Sequence, residues 1–187
     1  MFVLIILFIF ITFLWLGEFI LFPSLEKEER SQQKTFLIIL AAILLIIILN
    51  AIMLWLDILL VKNTYLQGFA LILYAAGLIL RYWSLILLGQ GFSRNVEVST
   101  DQELISEGPY KYVRHPLYTG LFLLTIAVPL FVGNLAVFLF AIVLMYIVLN
   151  RRILEEESFM EEKLGTRYVE WKNERYRFLP IVGKKSK

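Results

Sequence analysis

The sequence predicts an all-α integral membrane protein of about five transmembrane helices, the last two forming a helical hairpin, with a cytoplasmic amphipathic helix near the C-terminus. Three observations predict it. Hydrophobic residues make up 59% of the 187 positions and charged residues only 18%, far from the balance of a soluble globular chain. The apolar residues come in blocks that can cross a hydrocarbon core of roughly 30 Å, which takes about 20 helical residues. Those blocks are apolar all round, whereas a membrane barrel would show alternating segments of ~10 residues.

The first block runs from about Phe2 to Phe22 and stops at Pro23. It is too long for a signal-peptide core, follows no basic residue and has no small-residue cleavage site, so it is expected to be a retained helix. A charged loop, Ser24 to Lys34, leads to a second block from about Thr35 to Leu56. After a turn around Lys62, Asn63 and Thr64, a third runs from about Tyr65 to Leu88. A long polar connection, Gly89 to Pro116, precedes the fourth block, Leu117 to Asn150. As one helix that block would be about 50 Å long, too long for the core. Pro129 and Gly133-Asn134 mark a break, giving a hairpin of two arms. In the tail, Met160, Leu164, Tyr168 and Trp171 recur on one helical face among charged neighbours, with Gly165 as a point of weakness. The chain reads as one membrane domain, with three spans in 1–88 and a chemistry-bearing half in 89–187.

Positive charge sets the expected orientation. With five spans and the N-terminus outside, Lys27, Arg30 and Lys34, then Arg94, Lys111 and Arg114, then ten basic residues of the tail fall on the cytoplasmic side. Only Lys62 falls opposite. The 89–116 connection and the tail should therefore meet on one face. Cysteine is absent, which removes disulfides, thiolate nucleophiles and Cys-ligated metals. A lone histidine without cysteine speaks against a zinc site, and no metal is expected. The basic tail alternates with acids beside a membrane, so nucleic acid is not an expected partner.

Two stretches could carry chemistry. In Gly108–Gly120, Pro109 and Pro116 bias the residues before them away from helix, so His115 should lie outside a helix and Pro116 in the first turn of the fourth span. Tyr110, Tyr112, Arg114, His115 and Tyr118 then cluster at a helix N-terminus, which favours anionic ligand groups. An aromatic and basic anchor at the membrane interface accounts for the same residues. The second stretch is Arg151 to Glu157, where Arg152 and Glu156 share a helix face in the weaker order for mutual pairing. Stop-transfer residues followed by a solvated helix are the alternative there. Glu18 and Arg81 lie within apolar blocks, and such residues are functional candidates by default. Arg81 is close enough to an expected helix end to snorkel; Asp57 and Lys62 read as surface residues.

Arg-His-Pro-Leu-Tyr-Thr-Gly at 114–120 resembles the RHPxYxG signature of the isoprenylcysteine carboxyl methyltransferase family. The tail is similar to that family's second pattern, with Glu156-Glu157, Leu164-Gly165, Tyr168, Trp171 and Pro180 in order. The likeness covers roughly the C-terminal half, and Gln102 and Trp171 depart from the family's usual His and Tyr. The resemblance implies S-adenosyl-L-methionine as cofactor, contacted by Gln102, Leu104, Ile105, Tyr110, His115, Pro116, Leu117, Tyr118 and Glu156, with Asn95 at a further contact position. It implies that Arg152 meets the acceptor, that Arg152 and Glu156 are the catalytic pair, and that His115 grips cofactor. The short N-terminal half implies a minimal prokaryotic-type member in the cytoplasmic membrane, for which a prenylated CaaX protein is a doubtful substrate.

The expected activity is therefore methyl transfer to a lipophilic acceptor, a small molecule or a lipidated one, through the carboxylate of an isoprenylcysteine-like or other lipid-linked group. An ionised carboxylate needs no general base. A phenol, enol or amine acceptor would make His115 a base candidate. An amino-lipid or polyketide hydroxyl acceptor on the same fold, a sterol-type reductase using NADPH, and a non-enzymatic membrane scaffold stay open. The acidic Glu156-Glu157 pair favours a cationic cofactor over one bearing a 2′-phosphate.

Overall fold

The computed structural model describes residues 2–21, 30–88 and 104–178. Six α-helices make up its frame: α1 (Phe2–Leu21), α2 (Arg30–Trp55), α3 (Thr64–Leu88), α4 (Pro116–Val132), α5 (Leu135–Leu164) and α6 (Thr166–Asn173). A 3₁₀ turn, Gly108–Lys111, lies before α4. The protein is an all-α integral membrane protein, as the composition predicts. Lys34–Trp55, Thr64–Leu88 and Leu135–Leu164 are long and apolar enough to cross a membrane, and Phe2–Glu18 and Pro116–Val132 are shorter apolar helices.

Helix α4 is the centre of the bundle. One face packs with α2 and α5 around Ile39, Ile46, Phe122, Ile126, Met145 and Leu149. Its other face packs with α1 and α3 around Tyr74, Leu78, Leu124 and Ala127. A helix buried on two sides must be apolar all round, which is why this block shows no amphipathic period. Helix α1 packs on α3, and α2 packs on α5 and α4, so α1 and α2 flank the bundle on different sides.

The hairpin forms where the sequence places it, but the break is at Gly133 and not at Pro129. Pro129 is buried within α4, and Gly133 ends that helix with φ 87°, a left-handed conformation that glycine adopts without penalty. Its N–H donates to Leu130 O at 3.1 Å, and that of Asn134 donates to Pro129 O at 2.9 Å. The Asn134 side chain then caps α5 by accepting from the Val137 N–H at 3.1 Å. A Cβ on Gly133 would stand 2.3 Å from Val61 O. The α2–α3 turn presses on the hairpin there, and the Val61 N–H donates to Gly133 O at 2.9 Å.

The tail differs from expectation in one respect. The apolar stripe Met160, Leu164, Tyr168 and Trp171 does not lie on one separate helix. Helix α5 continues past Asn150 to Leu164, and the first two belong to its end while the last two belong to α6. Residues 151–164 are good helix formers with no breaker until Gly165, whose φ of 56° ends the run.

Candidate functional site

The polar connection and the tail meet at one end of the bundle, as expected, and are stitched together by backbone. Val113 pairs with Tyr176 as an isolated parallel bridge. The Arg114 N–H donates to Tyr176 O at 2.8 Å, the His115 N–H to Arg177 O at 3.2 Å, and the Tyr176 N–H to Tyr112 O at 3.0 Å. The Thr119 hydroxyl donates to Phe178 O, and the Phe178 ring meets Phe122 edge-on at 5.5 Å. Arg175 adds a second tie, donating through Nε to Tyr110 O at 3.0 Å and through Nη1 to Trp171 O at 2.6 Å. Its guanidinium also lies 4.6 Å from the Trp171 ring centroid, and the Trp171 indole N–H donates to Ser106 Oγ at 3.0 Å.

His115 precedes α4 with φ −123° and ψ 61°, outside the helix, and Pro116 is the first residue of α4. Both expectations drawn from the two prolines hold. His115 and Pro116 are buried, while Leu117 and Tyr118 are half-buried. The Tyr118 hydroxyl lies between the two residues of α5 singled out above. It accepts from Arg152 Nε at 3.2 Å and donates to Glu156 Oε2 at 2.8 Å. Arg152 is buried and Glu156 half-buried, so their shared face is turned inward. One residue earlier in the acidic run, Glu155 accepts from Thr35 of α2 at 2.6 Å.

Glu157 is the residue that sequence reasoning missed. Its side chain is 4% exposed, and three cationic or ionisable groups surround it. Arg114 Nε lies 3.3 Å from Oε1, His115 Nε2 3.1 Å from Oε1, and Arg177 Nε 3.2 Å from Oε2. A carboxylate only accepts, so the histidine contact requires a proton on Nε2. The histidine is thus partnered by Glu157 and not by Glu156. Consecutive helical residues point about 100° apart, so Glu156 and Glu157 serve different neighbours. The doubled acid at the end of an apolar span was the available signal, but helical geometry alone does not say which acid turns inward.

Tyr110 is buried in the 3₁₀ turn. Burial, with Glu156 nearby, pushes its phenol well above the ordinary range. Tyr168 on α6 is raised by burial and by Glu157 and Glu156, and its ring stacks on Trp171 at 5.7 Å. Leu104 and Ile105 are half-buried before the turn. A groove of about 420 Å³ runs between this segment and α6, lined by Leu104, Ser106, Arg167, Glu170, Trp171, Glu174 and Arg175. Of the expected cofactor residues among the described ones, only Leu104 lines it. Gln102, Asn95 and Pro180 lie outside the described residues.

The intramembrane charges correct the sequence reading of Arg81. It does not snorkel outward. Glu18 of α1 is fully buried, and Arg81 of α3 engages both of its oxygens, with Nε to Oε2 at 2.7 Å and Nη2 to Oε1. Burying either charge alone is prohibitive, whereas a paired and hydrogen-bonded one is tolerated. Asp57 and Lys62 form an exposed pair at 3.3 Å, in keeping with surface roles.

The side chains at this end suit a ligand that carries both signs of charge. Arg114 and Arg177, each with its Nε against the Glu157 carboxylate, carry further N–H donors of the kind that suits an anionic group. The Glu156 carboxylate, held by the Tyr118 hydroxyl, suits a cationic one. Among the described residues no group of three His, Cys, Asp or Glu side chains could hold a metal.

Comparison with known proteins points the same way. The sequence profile of the isoprenylcysteine carboxyl methyltransferase (ICMT) family matches residues 70–162. The chain is 30% identical over 119 residues to protein-S-isoprenylcysteine O-methyltransferase of Schizosaccharomyces pombe, covering 62% of this chain and 50% of that protein. It is 26% identical over 113 residues to protein-S-isoprenylcysteine O-methyltransferase B of Arabidopsis thaliana, covering 59% and 57%. The chain thus spans about half the length of the curated relatives it matches. Its fold is similar to the solved structure of the eukaryotic intramembrane Ras methyltransferase ICMT, with a TM-score of 0.71 at 22% identity over 95% of this chain and 64% of that one.

Proposed function

We propose, from the premise that this chain belongs to the isoprenylcysteine carboxyl methyltransferase family, that it methylates the carboxylate of a lipophilic acceptor with S-adenosyl-L-methionine as donor. The acceptor class is an isoprenylcysteine-like or other lipid-linked carboxylate. One observation carries the reading: the Tyr118 hydroxyl tethers Arg152 and Glu156, holding a cation and an anion side by side where the bundle meets its polar cap.

The bound cofactor supplies an electrophilic methyl group on a sulfonium. The chain's task is then to align and to exclude water, because in-line displacement rewards near-attack geometry. Arg152 orients the acceptor carboxylate through its guanidinium, and Tyr118 sets where that guanidinium points. Glu156 faces the cationic part of the cofactor, with His115, Pro116, Leu117 and Tyr118 forming the wall on the α4 side. The N–H groups of Arg114 and Arg177 other than the Nε donors held at Glu157 would meet the cofactor's own carboxylate. Leu104, Ile105 and Tyr110 close the cap, and Gln102 belongs to the same connection. A carboxylate acceptor is already ionised, which suits a histidine whose Nε2 is committed to Glu157. The expected orientation puts this end on the cytoplasmic side, where most of the basic residues gather.

The test is methyl transfer by the full chain in detergent, with methyl-labelled cofactor and farnesylated cysteine bearing a free carboxylate. Labelled product that releases volatile methanol in mild alkali is an ester and supports the reading. Alkali-stable label would move the assignment to a hydroxyl or amine acceptor. Absence of S-adenosylhomocysteine binding by calorimetry would sink the cofactor.

A further inference from the structure

Glu18 and Arg81 are ionisable side chains inside apolar helices that the proposed chemistry leaves unused. Arg81 employs all three of its nitrogens. Two go to the Glu18 carboxylate, and Nη1 donates to the backbone carbonyl of Leu117 at 3.2 Å. That third contact reaches out of the ion pair and into the first turn of α4, one residue before Tyr118. The same turn is shaped around the arginine. A Cβ on Gly120 would stand 2.5 Å from Arg81 Cγ and 2.8 Å from Gly77 O, so the last residue of the Arg114–Gly120 motif is bare where the arginine stem passes. A pair that served only to neutralise buried charge would require neither the carbonyl contact nor the missing side chain.

We infer that Glu18 and Arg81 are a positioning pair for the transfer site: Arg81, oriented by Glu18, holds the Leu117 carbonyl and thereby fixes the Tyr118 hydroxyl between Arg152 and Glu156. Helix α1 thus acts on the site through α3, by way of the Glu18–Arg81 contact. The kinetic side of this inference rests on the proposed function; its geometric side does not.

The experiment uses the full chain in lipid nanodiscs with 3-fluorotyrosine at position 118, whose fluorine resonance reports the surroundings of the hydroxyl. Arg81→Lys keeps a cation beside Glu18 but cannot span both the carboxylate and the Leu117 carbonyl. The expected result is a shifted or broadened resonance and a kcat for methyl transfer to farnesylated cysteine lower by on the order of 100-fold. KM for the acceptor and the melting temperature should change little. A purely structural pair would instead lower the melting temperature and leave the resonance of the folded protein in place. An unmoved resonance, or a moved one with undiminished kcat, overturns the inference. If Arg81→Lys does not fold, Glu18→Gln/Arg81→Gln, which removes both charges together, is read in the same way. Failure of both to fold assigns the pair to stability and also overturns the inference. If the unsubstituted protein transfers no methyl group, the functional reading fails separately and the resonance alone decides the positioning.

Discussion

Gly77 and Gly120 face each other where α3 crosses α4, and neither has room for a methyl group. A Cβ on Gly77 would lie 2.9 Å from Gly120 O, and one on Gly120 would lie 2.8 Å from Gly77 O. Small residues at such crossings let membrane helices approach at backbone distance. Gly77→Ala or Gly120→Ala should destabilise the protein by about 1–3 kcal/mol through overpacking. Gly68, also in α3, has nothing within 4 Å of its built Cβ, so Gly68→Ala should be neutral or stabilising by up to about 1 kcal/mol. Denaturation in detergent micelles checks all three, and equal effects at Gly68 and Gly77 would show that packing is not the cause.

Tyr118→Phe removes one hydroxyl and keeps the ring. Arg152 and Glu156 lose the group that joins them, which should lower methyl transfer by about 10- to 100-fold. Stability should fall by only about 1–2 kcal/mol. Steady-state kinetics beside a melting curve separates the two effects. Full activity in this variant would remove Tyr118 from any role in aligning Arg152.

Glu157→Ala leaves Arg114 and His115 buried beside an empty place. Breaking a buried ion pair from one side costs about 3–5 kcal/mol, so this should rank among the most destabilising single changes at this end. Arg177→Ala should cost far less, since that side chain is 33% exposed and the other two groups remain on Glu157. Urea titration of the micellar protein gives the order, and the reverse order would show that Glu157 is not the hub.

Arg175→Ala should loosen the cap and not the bundle. It deletes the donations to Tyr110 O and Trp171 O and the cation on the Trp171 ring. Trypsin should then cut faster at Lys172 and Arg177, with helical circular dichroism nearly unchanged. An unaltered digestion rate would mean that the backbone pairing around Tyr176 holds the tail unaided.

The spans, the hairpin and the proline-set start of α4 were legible because each depends on local chemistry: apolar length, Gly133, Pro116. Arg152, Glu156, Tyr118 and His115 were also legible as one cluster, through the family resemblance and because the connection before α4 and the charged stretch beyond the fifth apolar span were expected on one face. The partners were less so. Glu157 differs from Glu156 by one helical step, and only packing decides which acid turns inward. Arg81 was read as snorkelling because its counter-charge, Glu18, is 63 residues away. Likewise nothing in Thr35 foretells its bond to Glu155, because α2 reaches α5 only through the tertiary arrangement.

The pairing of residues 112–115 with 176–178 bears on the timing of assembly. Among the described residues, every helix that could insert into a bilayer is synthesised before Tyr176, Arg177 and Phe178 leave the ribosome. The partners of Arg114, His115 and Thr119 therefore arrive after those helices. A nascent chain with its membrane helices in place still lacks the lock on its cap. Long-range closure of this kind is slow compared with local helix formation, so the cap should close after insertion, when the stretch following α6 folds back on the first turn of α4.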